Sequence, residues 1–115
     1  MKLYLDDLRP VPTGWTLAKT ATEAIRLLES RFVTDLSLDH DLGCCRQCEA
    51  DMPGMTECAC NGNGYQVACW LEERVVTDPT FPIPTVQVHS ANPAGVRRIG
   101  QAIAVMERIR QERTP

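Results

Sequence analysis

The sequence predicts an α/β fold built on a parallel sheet, and three short segments carry that prediction. Lys2-Leu3-Tyr4-Leu5-Asp6-Asp7, Leu36-Ser37-Leu38-Asp39-His40-Asp41 and Val86-Gln87-Val88-His89-Ser90 each run apolar and then break into acids, histidines and a turn. Buried parallel strands read this way when a polar site gathers at their carboxyl ends, where open α/β sheets bind ligands. Amphipathic stretches between the segments supply the helical crossovers that parallel strands need.

Leu3 to Leu5 reads as the first strand, and Arg9-Pro10-Val11-Pro12-Thr13-Gly14 as a tight loop with no room for a helix. Trp15 to Ala18 is a second, short strand. Thr20 opens a helix with Glu23 three residues on, the spacing of a capping box, and Ala21, Ala24, Leu28 and Phe32 recur along it at helical spacing. Asp35 to Asp39 is the third strand. The next helix, Gly64 to Val76, puts Val67, Ala68, Leu71 and Val75 on one face and stops at Asp78-Pro79. Thr85 to Val88 makes the fourth strand. Asn92-Pro93, an N-cap before proline at the first helical position, opens a last helix that runs to about Gln111 and buries Val96, Ile99, Ile103 and Met106. Right-handed crossovers then give a four-stranded parallel sheet of order 2-1-3-4 in a three-layer sandwich, with its switch point between strands one and three.

A chain of 115 residues suits a single domain over 1–115. With 43% hydrophobic and 23% charged residues it has the composition of an ordinary globular protein. A net charge of −3 argues against an extended basic nucleic-acid surface and leaves room for a local phosphate site. No apolar run reaches the roughly 18 residues of a membrane span, and acids interrupt the opening segment where a secretory signal needs an apolar core. The expected location is therefore cytoplasmic, with no membrane partner. In that compartment six cysteines point to metal or catalysis rather than disulfides.

Asp6, Asp7 and Asp39 are the candidate metal ligands, because facing carboxylates repel and a shared divalent cation relieves the repulsion. Mg²⁺ takes oxygen ligands and bridges to phosphate oxygens. The competing explanation is that Asp6 or Asp7 caps the Arg9-Pro10 turn. His40 and His89, the two histidines of the chain, each follow a strand directly. Imidazole titrates near neutrality, so one ring can take a proton from water while the other protonates a departing oxygen. Asp41 either orients His40 or caps the turn at Leu42-Gly43. At the last helix, the Asn92 cap and the backbone N–H groups of Ala94 and Gly95 form a candidate phosphate seat. Arg97 or Arg98 would add a charge-assisted bond, and Arg9 is a further candidate cation. A plain cap with two solvated arginines is the competing explanation.

Residues 44–62 form a Cys-rich insertion after the third strand. Cys45-x-x-Cys48 is followed after nine residues by Cys58-x-Cys60, two close thiol pairs that can close a tetrahedral zinc site. Cys44 could replace Cys45. Four sulfur ligands leave zinc no open position, so its expected role is structural, supplying the ordering energy of a lid or specificity loop. A redox pair is the alternative, and Cys69 reads as a small core residue.

Leu5-Asp6-Asp7-Leu8-Arg9-Pro10, Leu38-Asp39-His40-Asp41-Leu42-Gly43, Gly64-Tyr65 with Trp70-Leu71-Glu72-Glu73, and His89-Ser90-Ala91-Asn92-Pro93 occur in the order of a known family. On these motifs the chain resembles the receiver domains of two-component signalling, and more closely the offshoot of cyclic-phosphate-processing receiver-like domains. The resemblance implies a phosphoesterase acting on a cyclic phosphate at an RNA end or on a small nucleotide, with Asp39, His40, His89 and Ser90 as its catalytic residues. A nonenzymatic module that sequesters a phosphorylated ligand is the alternative. A signalling receiver phosphorylated at Asp39 ranks last, because no lysine follows Lys19 and no fifth strand is predicted. Asp51-Met52-Pro53-Gly54-Met55 looks like the turn after a receiver's phosphoacceptor, yet Cys48-Glu49-Ala50 precedes it where an apolar strand would have to stand.

Overall fold

A computed structural model describes residues 1–113. Strands β1 (Lys2–Leu5), β2 (Thr16–Ala18), β3 (Asp35–Leu38) and β4 (Thr85–Val88) form one sheet in the order β2-β1-β3-β4. Every pairing is parallel, as the sequence predicts. Helices α1 (Ala21–Glu29), α3 (Gly64–Thr77) and α4 (Pro93–Arg113) follow the expected segments, and a short α2 (Arg46–Asp51) lies inside the Cys-rich insertion.

Parallel register places side chains in rows. Leu3, Leu36 and Val86 share one row, and Leu5, Leu38 and Val88 the next row on the same face. These residues join Ala24, Leu28, Val67, Leu71, Ile99 and Met106 from the helices in one core. The opposite face carries the row Leu17, Tyr4, Ser37 and Gln87. The core residues of α1, α3 and α4 gather on the Leu3, Leu36 and Val86 side instead. The cause is topological: the Arg9–Gly14 loop links β1 to β2 without a helix, and α4 packs chiefly against α3 instead of crossing beneath the sheet.

The helix starts are chemically specified. Thr20 Oγ1 accepts from Glu23 N at 3.1 Å, and Asn63 Oδ1 from Gln66 N at 2.8 Å. Each satisfies an N–H that the helix itself leaves unbonded. Three expected core positions lie elsewhere. Phe32 is 73% exposed because α1 ends at Glu29 and Arg31 turns the chain through a left-handed conformation (φ 68°) before it. Val96 is displaced from the core by one position, since the buried side of α4 runs Gly95, Ile99, Ala102 and Met106. Cys69 is exposed, next to the buried Ala68 rather than on its stripe.

The insertion leaves after β3 and returns to α3 with its ends joined. Asp41 and Asn63 form an antiparallel bridge, and Asn61 Nδ2 donates to the carbonyls of Leu42 (3.2 Å) and Gly43 (3.3 Å). Gly64 closes the seam, its N–H donating to His40 O at 2.9 Å. A Cβ there would stand 2.0 Å from the Asp39 carbonyl oxygen, so only glycine permits this approach.

Candidate functional site

The strand ladder continues one residue beyond the strands. Asp6 N donates to Ala18 O (3.1 Å), Asp39 N to Leu5 O (3.0 Å) and His89 N to Leu38 O (2.9 Å). Alternation therefore sends Asp6, Asp39 and His89 to the open face, in one row directly beyond Tyr4, Ser37 and Gln87. One donor atom from each of the three lies within 4.8 Å of the others. Asp6 and Asp39 face a cleft of about 400 Å³ whose wall also includes Asp7, Arg9, Asp41, Ser90 and, from the insertion, Thr56.

Asp6 is 1% exposed and heavily bonded. Its Oδ1 accepts from the N–H groups of Leu8 and Arg9, both at 2.9 Å, and its Oδ2 lies 3.0 Å from His89 Nε2. Burial raises its pKa, but those two backbone donors and His89 outweigh burial and hold the carboxyl below the ordinary range. The turn-capping role weighed from the sequence is thus present together with the site geometry. Asp39 is pushed up by burial and then by the charge of Asp6. Asp7 is raised by burial and by Asp6 and Asp41, and its Oδ2 is directed toward Gly43, where a Cβ would meet it at 2.5 Å. Asp7 lines the cleft but stands outside the close trio, in which His89 takes the place expected for it.

The two histidines do not face one another across a substrate position. His89 lies on the open face, stacked on Tyr4 (centroids 4.1 Å apart, planes at 6°), and Tyr4 meets Trp15 edge-on at 5.9 Å. Both its nitrogens are engaged: Nε2 with Asp6, and Nδ1 with Ser37 Oγ at 2.6 Å, a hydroxyl that also accepts from Gln87 Nε2 at 3.3 Å. His40, one residue past Asp39, points to the helical side. A Cβ on Gly95 would come within 2.4 Å of its ring. Its Nδ1 is 2.8 Å from Asp41 Oδ1, and Asn92 Nδ2 donates to both oxygens of that carboxylate at 3.4 and 3.3 Å. An acid–base pair of His40 and His89 acting on one bond conflicts with this separation, because strand alternation sends consecutive register rows to opposite faces.

Asn92 caps α4, its Oδ1 accepting from Gly95 N at 3.1 Å, so of the two N–H groups expected at the phosphate seat only that of Ala94 is left without a partner among the described residues. Ser90 Oγ accepts from Asn92 N at 3.1 Å. Arg9 donates through NH1 to His89 O at 2.8 Å, with Nε 3.9 Å from Asp6 Oδ2. Arg97 and Arg98 are exposed and neither lines the cleft. The Arg98 guanidinium sits 5.9 Å over the Tyr65 ring.

Cys45, Cys48, Cys58 and Cys60 bring their sulfurs within 4.8 Å of one another, close enough to hold zinc. The 3.7 Å between the sulfurs of Cys48 and Cys60 matches the edge of about 3.8 Å that a tetrahedron with Zn–S bonds of about 2.3 Å requires. The N–H groups of Cys45 and Asn61 hold the Cys58 thiol down to about 6, favouring the thiolate a metal needs. Cys44 is pushed up to about 11 by burial and by its contact with Cys58, and stands outside the foursome.

Tyr4, Ser37, Gln87 and Thr56 were not singled out from the sequence. Alternation within Leu36-Ser37-Leu38 and Val86-Gln87-Val88 does put Ser37 and Gln87 on the face of Asp39 and His89, so that signal was available. Thr56 has none, because the path of the insertion decides its place.

The parallel order 2-1-3-4 with carboxylates gathered beyond β1 and β3 defines a receiver-type α/β domain. The family model for the cyclic-phosphate processing receiver domain matches residues 1–105, and the chain belongs to that family. No curated protein and no solved structure matches it. No helix among the described residues is long and apolar enough to cross a membrane.

Proposed function

We propose that the domain is a phosphoesterase that opens a cyclic phosphate, on an RNA terminus or a small nucleotide, in the cleft beyond β1, β3 and β4. The observation that supports this most is the single row Asp6, Asp39 and His89 beside Arg9. Asp6, Asp39 and Arg9 line a cleft large enough for a phosphate with its sugar, and His89 bonds Asp6. Water attacks phosphorus, one ring P–O bond breaks, and the departing sugar oxygen takes a proton.

Asp39 lines the cleft with a raised pKa and serves in proton transfer. His40, which faces the helices, holds Asp41 at the cleft wall through the 2.8 Å contact of its Nδ1 with Asp41 Oδ1. His89 positions Asp6. Arg9, the Ser90 hydroxyl and the Ala94 N–H bind phosphate oxygens, with Asn92 fixing the helix end behind them. Asp6 and Asp39, whose charges oppose each other, fit a divalent cation, with Mg²⁺ the ion that carboxylates alone would favour. Bound there, such an ion would supply positive charge for the phosphate. The zinc-type cluster staples the insertion whose Thr56 forms part of the cleft wall. Its free thiols suit a reducing compartment such as the cytoplasm.

Hydrolysis of a 2′,3′-cyclic mononucleotide by the purified protein, followed by phosphorus NMR, tests the proposal. Expected is opening to a monoester at a rate reduced at least about 10²-fold by Asp39→Asn. Tight binding without turnover would instead support the sequestering module, a reading favoured by one observation: both nitrogens of His89 are already engaged.

A further inference from the structure

We infer that Asp6, Asp39 and His89 form a mixed nitrogen and oxygen metal site in which the imidazole is a ligand, so that the site prefers a first-row transition cation to Mg²⁺. The inference rests on the proposed function only in placing a cation at these carboxylates. Three donors from three strands converge within 4.8 Å. Two are hard oxygens and one is an aromatic nitrogen. Mg²⁺ dehydrates reluctantly and takes oxygen, whereas imidazole suits cobalt, nickel, iron and zinc.

The surroundings of His89 are those of a metal ligand. A ligating imidazole is normally oriented through its other nitrogen, and here Ser37 Oγ lies 2.6 Å from Nδ1. Tyr4, stacked parallel at 4.1 Å, fixes the ring plane. With Gln87 donating to Ser37, one arrangement that satisfies every partner puts the serine hydrogen on Nδ1 and a ring proton on Nε2 toward Asp6.

Metal binding reverses this chain without changing the number of protons. The imidazole proton moves from Nε2 to Nδ1 and is donated to Ser37, and the serine hydrogen turns to the Gln87 amide oxygen, which a flip of that amide presents. The Nε2 lone pair is then free for the ion, in the gap that now separates it from Asp6. Gln87 can serve either direction because its amide offers both a donor and an acceptor.

The test uses protein with its cysteine cluster filled with zinc, titrated with Co²⁺ or Mg²⁺ alone and without any phosphate ligand. Co²⁺ should bind at least about tenfold more tightly than Mg²⁺, with absorption lacking thiolate charge-transfer bands. His89→Asn should abolish that preference, and Asp7→Asn should leave it unchanged. Ser37→Ala retains all three donors and should weaken Co²⁺ by about 10- to 100-fold. On the wild-type protein, nitrogen NMR of the His89 ring should show the proton on Nε2 without metal and on Nδ1 with added Zn²⁺.

Equal affinity for the two ions, a preference that survives His89→Asn, or a ring that keeps its proton on Nε2 when loaded would each overturn the inference. These measurements involve no turnover. A protein that binds Co²⁺ through His89 and never opens a cyclic phosphate would sink the phosphoesterase reading alone.

Discussion

Asp6 and Asp39 neighbour each other in one register row, yet their environments push their carboxyls in opposite directions. Asp6 receives two backbone N–H groups and is held low, so its contribution to stability is present above the ordinary carboxylate value of 3.8 and lost as pH falls through its lower folded value. Asp39 is raised by burial and by Asp6, so its charge costs stability at neutral pH, and that cost disappears as pH falls through its raised value. Asp39→Asn should therefore leave the fold as stable at pH 7 or more so, without added divalent cation. Urea denaturation across pH 4–7 should show any advantage shrinking toward acid, and one that grew toward acid would contradict the assignment. For His40, which reaches the cleft only through Asp41, alanine replacement should lower turnover of a cyclic phosphate by less than Asp39→Asn does, with ligand affinity little changed. For His89, whose nitrogens hold Asp6 and Ser37, the same replacement should also weaken cation binding, a difference calorimetry would detect.

Two glycines of α4 show how one element answers to two demands. A Cβ at Gly95 would stand 2.4 to 2.7 Å from three ring and side-chain atoms of His40, whereas at Gly100 it would meet nothing within 4 Å. Gly95→Ala should cost about 1–3 kcal/mol by displacing His40, and Gly100→Ala should stabilise by about 0.5–1 kcal/mol through helix propensity alone. Thermal unfolding of the two variants, moving in opposite directions, checks both. This is also where the periodic reading went astray, since a helix that needs a bare backbone opposite a histidine buries Gly95 and displaces Val96. The insertion makes a separate prediction. Protein prepared under reducing, metal-replete conditions should carry about one zinc per chain by elemental analysis. Replacing both Cys48 and Cys58 with serine should release it and speed hydrogen exchange over residues 44–62, while exchange in β3 stays slow, because the Asp41–Asn63 bridge closes the seam independently.

At the scale of the molecule, strand order and direction were legible because each buried strand ends abruptly in polar residues, and Asp6, Asp39 and His89 could be picked out for the same reason. The gathering of the helical core residues on one side of the sheet was not, since it depends on where α4 packs after its last connection, which no local pattern records. Nor was the partition of the two histidines, although both follow strands: His40 stands one residue beyond Leu38 and His89 directly beyond Val88, that difference decides the face, and strand ends carry this uncertainty in sequence. A single core on one face makes each of its leucines matter. Leu36→Ala, at a fully buried position, should cost about 2–5 kcal/mol by chemical denaturation.

The order β2-β1-β3-β4 leaves the outermost backbone groups to strands of three and four residues, and the four-residue strand is preceded directly by Pro84, with Pro82 two residues before it. Short margins interrupted by proline offer an incoming chain few successive donors and acceptors, so strand-to-strand growth between copies has little to template it. The sheet thereby keeps its rim unattractive, and light scattering at rising protein concentration should show no polymer extending through β2 or β4.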